Sequence, residues 1–74
     1  MPGGDRFDLF ITDLFRLYNR LAQEIGSNRQ FVVGSSRRAV AVLRAYRPED
    51  DGEAILIDTA IEEFEALARK AGAR

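Results

Sequence analysis

The first third of the chain carries an unbroken helical pattern of apolar residues. These side chains recur every four or three residues: Phe7, Ile11, Leu14, Tyr18, Leu21 and Ile25. That spacing places them on one face of an α-helix. Gly26 follows the last of them and suits a helix end in the left-handed conformation. The sequence therefore predicts a long amphipathic helix over residues 5–25.

The last third of the chain predicts a second amphipathic helix, over residues 51–71. Five of its apolar residues share one face, with further apolar residues beside it: Ile57, Ile61, Phe64, Ala68 and Ala71 on the face, and Leu56, Ala60 and Leu67 beside it. Asp50 is followed three residues later by Glu53, which resembles a capping box at a helix start. Gly72 suits the end of this helix.

The middle of the chain allows two interpretations. The first is a helix over residues 36–46 that begins at Ser35 or Ser36, with residues 31–33 as a buried connector. The second is a β-hairpin whose strands are residues 30–33 and 39–46, because β-branched residues favour strands and Val40, Val42, Arg44 and Tyr46 alternate. The predicted fold is thus mainly α, a three-helix arrangement, with helix–hairpin–helix as the alternative.

Length and composition restrict the classes of protein. With 74 residues, the chain has room for one small domain over residues 1–74, and residues 1–4 and 73–74 are expected to be disordered. The absence of Cys and His removes disulfides, thiolate nucleophiles and the commonest metal ligand and proton carrier. We therefore expect no enzyme, no cofactor and no metal. A core of this size is marginal, which makes self-association an expectation.

The sequence also bears on location. The longest uninterrupted apolar run, residues 39–43, is far shorter than the ~18 residues that cross a bilayer. The first residues lack the basic and apolar stretches of a secretory signal. Ten of the eleven basic residues are Arg, which is typical of a GC-rich, bacterial-type genome. The expected location is a bacterial-type cytoplasm, with no membrane contact.

Charge is unevenly distributed along the chain. Residues 16–47 hold seven Arg against one acid, Glu24, a net charge of +6. Residues 49–65 hold eight acids and no base, a net charge of −8. Three interpretations stay open: the two blocks face each other within the fold, one block docks an oppositely charged partner, or the blocks pair between subunits.

The basic block contains a candidate anion site. If a helix began at residues 34–36, its free N–H groups would converge with two hydroxyls and two guanidinium groups on a phosphate. The residues of this site are Ser35, Ser36, Arg37 and Arg38. Arg44 and Arg47 would extend it into a basic ridge of the kind that binds nucleic-acid phosphates. Nucleic-acid binding is accordingly the alternative function.

A few apolar residues fall outside the main helical faces, namely Leu9, Phe15 and Ile55. They are candidates for a surface that binds a protein partner or a second copy of the chain. Together with the lack of catalytic side chains, they favour a small non-enzymatic protein–protein interaction module. Such a module would act as a regulator, adaptor or assembly factor through homodimerisation or by binding another protein.

Overall fold

The structure, a computed structural model, describes the backbone of residues 2–72 and the side chains of residues 6–72. It contains three helices: α1 (Pro2–Gln23), α2 (Arg29–Ala45) and α3 (Asp51–Gly72). The three-helix prediction is confirmed. The hairpin alternative is wrong, since residues 2–72 include no strand. Of the ends that were expected to be disordered, residues 1, 73 and 74 lie outside the described part of the chain, and α1 begins at Pro2.

Short connections fix the topology. Residues 24–28 join α1 to α2 and residues 46–50 join α2 to α3, and linkers of this length make successive helices antiparallel neighbours. Phe10, near the start of α1, stacks on Tyr46 just beyond the end of α2, with ring centroids 4.6 Å apart. The result is an up–down–up bundle that measures 43 × 16 × 15 Å.

Each helix buries one stripe with alternating three- and four-residue spacing. The buried side chains are Phe7, Ile11, Leu14 and Leu21 on α1, Val32, Ser36, Ala39 and Leu43 on α2, and Ile57, Ala60, Phe64, Leu67 and Ala71 on α3. The predicted faces of α1 and α3 are largely right. On α3 the buried stripe is rotated slightly from the predicted face, because both α1 and α2 pack against this helix. Ala60 and Leu67 lie in the core, and Ile61 is only half-buried.

The helices do not approach one another equally. α2 and α3 pack together far more closely than either packs against α1. Small buried residues at the centre, Ser36, Ala39 and Ala60, allow the two backbones this approach. Aromatic rings separate α1 from its neighbours, and Tyr18 of α1 meets Phe64 of α3 edge-on at 5.6 Å. α2 and α3 therefore form a tight hairpin with α1 laid along one side.

The middle helix begins seven residues earlier than the sequence indicated. It starts at Arg29 after Asn28, whose side chain makes no capping hydrogen bond, and Ser35 and Ser36 lie in its interior. The prediction of a helix start at Ser35 or Ser36 is therefore wrong. The buried connector is wrong as well, because Phe31 is exposed on the surface of α2. Burial of the stripe that starts at Val32 outweighs the turn preference of the Gly-Ser-Ser sequence.

The helix ends confirm one expectation and correct another. At the start of α3, Asp50 Oδ1 accepts a hydrogen bond from the Glu53 N–H at 2.8 Å, and Glu53 Oε1 accepts one from the Glu49 N–H at 2.9 Å. Asp50 thus caps α3 as predicted, but the return bond from Glu53 reaches the N–H of Glu49, one residue before the cap, rather than that of Asp50. α1 ends at Gln23, and Gly26 does not adopt the left-handed conformation, since no residue in the described range has a positive φ. The Asn28 N–H instead donates to the Glu24 carbonyl oxygen at 2.8 Å, within a turn.

Candidate functional site

A surface groove runs between α2 and α3. It consists of three adjoining hollows, and none of the described α1 residues lines them. Arg29, Gln30, Val33, Gly34, Ala71 and Gly72 line one end, Arg37, Val40, Ala41, Arg44, Glu65, Ala68, Arg69 and Gly72 line the middle, and Leu43, Arg44, Tyr46, Pro48, Ala54, Ile57, Asp58 and Ile61 line the other end. We call this surface the α2–α3 groove.

The floor of the α2–α3 groove is apolar. Val33, Val40 and Ile61 are half-buried and pack against the core from this side. Ala41 and Ala68 line the middle, where their short side chains leave the floor open to close approach by another surface. The middle hollow has a volume of about 820 Å³ but opens broadly to solvent. A surface of this shape suits the side of another helix better than an enclosed small molecule.

Charged side chains form the rim of the α2–α3 groove. The Arg44 Nη2 donates to Glu65 Oε2 at 2.7 Å, which joins the basic block of the sequence to the acidic one across the groove. Both partners are partly exposed, so the pair contributes only about 0–1 kcal/mol to stability. Arg37 and Arg69 line the groove toward the start of α2, and Asp58 lines it toward the connection between α2 and α3. The two charge blocks of the sequence thus meet at this surface.

The pKa of the Tyr46 hydroxyl is affected by the acidic side chains near its end of the groove. Its ring stacks on Phe10, and its side chain lines the hollow that also contains Asp58. Burial raises the pKa of its hydroxyl, and the negative charges of Glu53 and Glu49 raise the pKa further, against an opposing effect of Arg6. The acidic residues at the start of α3 therefore act on this end of the groove.

The helix start on which the predicted anion site depends lies elsewhere, because α2 begins at Arg29. Ser35 and Ser36 lie inside α2, where the backbone N–H groups serve the helix rather than a ligand. Ser36 is fully buried, and its hydroxyl has no hydrogen-bond partner among residues 2–72. Arg37 and Arg38 are exposed but project about 100° apart, since each residue turns the helix by that angle. The helix start that was to hold a phosphate does not lie at these residues, and anion binding by the four of them stays a prediction.

The basic ridge is only partly assembled. Arg37 and Arg44 both line the α2–α3 groove, as their seven-residue spacing predicts. Arg47 lies beyond the end of α2. Glu65 pairs with Arg44, and Asp58 lines the same groove, so acids of α3 stand beside the ridge. This arrangement lowers the positive potential that a nucleic-acid backbone would require.

Two of the three apolar partner candidates, Leu9 and Phe15, lie on different faces of α1. Leu9 and Ile55 are exposed, with 68% and 65% of their surface accessible, on α1 and α3 respectively. Phe15 is half-buried against the core. Six residues separate Leu9 from Phe15, which turns their side chains about 120° apart. As partner contacts all three residues stay predictions.

Sequence reasoning missed the groove residues Ala41, Ala68 and Arg69. A signal for two of them was present: Ala41 and Ala68 are small residues next to the heptad stripes of α2 and α3, where paired helices approach. It also missed three exposed large apolar side chains, namely Phe31, Val42 and Leu56.

None of the described helices is both long and apolar enough to cross a membrane. Within the same residues, no group of three or more acidic side chains is placed to hold a metal ion.

Comparison with models of protein families, with curated proteins and with solved structures finds nothing that matches this chain.

Proposed function

We propose that the protein is a small, non-enzymatic protein–protein interaction module of a bacterial-type cytoplasm that works through self-association, as a regulator, adaptor or assembly factor. The observation that carries this proposal is the α2–α3 groove, with its apolar floor and charged rim. An apolar floor enclosed by charges is the anatomy of a protein interface: a dry centre and a polar rim.

The small size of the domain supports self-association in particular. A 74-residue chain without disulfides buries a limited fraction of its surface, and a second copy adds burial that the single chain lacks. A helical hairpin also docks efficiently on another hairpin, because ridges of one pair fit the groove of the other. The proposed partner is therefore a second copy of the chain.

Nucleic-acid binding is the weaker alternative. Arg37 and Arg44 share the groove, but Glu65 lies 2.7 Å from Arg44, and Asp58 lines the same surface. Acids of this kind repel a phosphate backbone while they suit a protein surface of mixed charge. Titration of labelled DNA and RNA at low salt tests the alternative, and we expect no binding in the micromolar range.

The proposed function is tested by the mass of the protein in solution. Sedimentation equilibrium from about 1 µM to 1 mM should give a monomer–dimer equilibrium in the micromolar range, as small interfaces do. The variant Ala41→Gln places a longer neutral side chain in the groove and should shift the equilibrium toward monomer. Ala66→Gln is the matched control: Ala66 is an exposed alanine on α3 that does not line the groove.

Three outcomes are informative. A monomer over the whole concentration range would contradict the proposed function. A dimer that Ala41→Gln weakens and Ala66→Gln leaves unchanged would support both the function and the groove. A dimer that neither variant changes would keep self-association but move it to another surface, with exposed Leu9 and Ile55 as the next residues to replace.

A further inference from the structure

Two arginines of the α2–α3 groove have no acidic partner in the described part of the chain. Three arginines and one acid line the middle hollow: Arg37, Arg44, Arg69 and Glu65. Glu65 accepts its hydrogen bond from Arg44 at 2.7 Å. Arg37 and Arg69 have no ion-pair or hydrogen-bond partner among the side chains of residues 6–72. Like charges that line one hollow raise its potential, so this part of the groove favours a negatively charged partner.

The positive charge occupies a definite stretch of the groove. The hollow at the start of α2 and the middle hollow are lined by four positive side chains, Arg29, Arg37, Arg44 and Arg69, and by one described acid, Glu65. Arg37 and Arg44 lie seven residues, about 10 Å, apart along α2, and Arg69 lines the same hollow from α3. We call these two hollows the basic part of the groove. Both of its walls therefore carry positive charge.

The floor of the basic part is apolar and open. Val33 and Val40 are half-buried and pack against the core. Ala41 and Ala68 present only methyl groups, and a Cβ built at Gly34 meets no atom within 4 Å. Packed helices approach most closely, to about 8 Å between their axes, where the side chains at the contact are small. A helix with an apolar stripe therefore fits between the two walls.

We infer that the basic part of the α2–α3 groove binds an acidic amphipathic helix of another protein. The apolar stripe of that helix lies on the floor, and carboxylates on both flanks of the stripe pair with Arg37 on α2 and Arg69 on α3. Apolar residues at helical spacing provide the anchors in this mode of recognition, and the rim charges select the partner. Asp58 lines the third hollow and repels the same carboxylates, so the bound helix ends before it.

This inference goes beyond the proposed function, which concerns a second copy of the chain. An adaptor that self-associates also requires a surface for a different protein. If the dimer uses the groove as well, the acidic helix competes with the second copy, and its binding favours the monomer by mass action. A nucleic-acid backbone has the required charge, but it has no apolar stripe to cover Val40 and Ala41, and its phosphates would meet Glu65.

A designed peptide tests the inference. The Glu peptide has three heptads and blocked ends, and as a helix it is about 30 Å long, enough to cover the basic part of the groove. Each heptad carries Leu and Ala on one stripe, Glu on both flanks of that stripe, and Gln and Ala elsewhere. In the Lys peptide, Lys replaces every Glu. In the non-periodic peptide, the residues of the Glu peptide are arranged without helical spacing.

Binding is measured by thermophoresis of full-length protein that carries a dye at its N-terminus. At about 50 nM the protein is monomeric even if it dimerises in the micromolar range, so the result does not depend on self-association. We expect the Glu peptide to bind with a dissociation constant of tens of micromolar at about 0.1 M salt, and to bind more weakly as salt rises, because exposed ion pairs are screened. The Lys peptide should bind at least tenfold more weakly.

Matched variants locate the binding surface. Arg37→Glu and Arg69→Glu should each weaken binding of the Glu peptide about tenfold, and the double variant should prefer the Lys peptide. Arg38→Glu and Lys70→Glu change the net charge by the same amount at the exposed neighbouring positions, which do not line the groove. They should weaken binding less than threefold. All four positions are exposed, so intact helices are expected in far-ultraviolet circular dichroism.

The contrary outcomes are distinct. No binding of the Glu peptide up to about 1 mM overturns the inference and leaves self-association standing, whereas a wild type that is monomeric in sedimentation removes only the proposed function. Equal binding of the Lys peptide or of the non-periodic peptide rejects an acidic helix as the partner. If Arg38→Glu weakens binding as much as Arg37→Glu, net charge rather than the groove controls binding, and the site is rejected. Tighter binding of a DNA duplex than of the Glu peptide would assign the groove to nucleic acid instead.

Discussion

Replacement of Ser36 by Ala should stabilise the protein. Ser36 lies at the centre of α2, is fully buried, and its hydroxyl has no hydrogen-bond partner among the described residues. A buried hydroxyl without a partner loses its hydrogen bonds to water on folding and gains none in return, at a cost of about 1–3 kcal/mol. Alanine keeps the small side chain that the close approach of α2 and α3 requires and removes this cost.

Two smaller effects modify the expected magnitude. Alanine is the better helix former, which adds a few tenths of a kcal/mol. Loss of one oxygen atom leaves a small void, which costs about 0.3 kcal/mol at roughly 24 cal/mol per Å³. We therefore expect Ser36→Ala to raise the free energy of unfolding by about 1–2 kcal/mol, equivalent to about 5–10 °C in the melting temperature of a domain this size.

Urea unfolding followed by circular dichroism measures this change. Ser35→Ala is the control, because Ser35 is the half-buried neighbour in the same helix and reports the helix-propensity effect alone. The difference between the two variants isolates the buried hydroxyl. A loss of stability in Ser36→Ala of more than about 0.5 kcal/mol would refute the reasoning, since it would mean that the hydroxyl bonds the carbonyl oxygen one turn earlier in α2.

Three further changes have defined outcomes. Gly34→Ala should raise the free energy of unfolding by about 0.5–1 kcal/mol in urea titrations, because Gly34 lies inside α2 and a Cβ there meets nothing within 4 Å. Asp50→Ala should lower it by about 1 kcal/mol through loss of the 2.8 Å hydrogen bond from the Glu53 N–H, while Asp50→Ser should retain most of the stability. Burial, and then the hydrogen bond and charge of Glu63, raise the pKa of the Tyr18 hydroxyl above its usual 10.0, so its contribution is present below pH 10.0 and is lost as pH rises through the higher folded-state pKa. Tyr18→Phe should therefore show a shallower alkaline loss of stability than wild type in thermal melts from pH 7 to pH 11.

The outer helices could be predicted because their patterns are long and locally consistent. Large apolar residues such as Phe7, Leu14 and Phe64 recur with helical spacing over six turns, and no competing pattern uses the same positions. The cap of α3 could also be predicted, because acidic residues at the spacing of Asp50 and Glu53 can both accept backbone hydrogen bonds at a helix start. Local chemistry was sufficient for these elements.

The middle helix could be assigned only in outline because its buried stripe is made of small residues. Ser36 and Ala39 fill core positions that large apolar residues usually occupy, so α2 lacks the strong periodic signal of its neighbours. Gly34, Ser35 and Ser36 are residues typical of turns, and for that reason the helix start predicted from the sequence was too late. Packing against α3 decides the outcome, since only small side chains allow the two helices to approach this closely, and that preference is a property of the pair rather than of α2.

The groove could not be predicted from the sequence for a related reason. The two charge blocks could be recognised, but the charge pattern that they form depends on which residues of α2 and α3 lie on the same side of the bundle. The rotation of α3 that buries Ala60 and Leu67 places Glu65 beside Arg44 and Asp58 at the far end of the same groove. A turn of the helix by one position, 100°, would carry those acids away from the groove and leave an uninterrupted basic ridge on α2. Small residues in the core thus set the charge pattern on the surface.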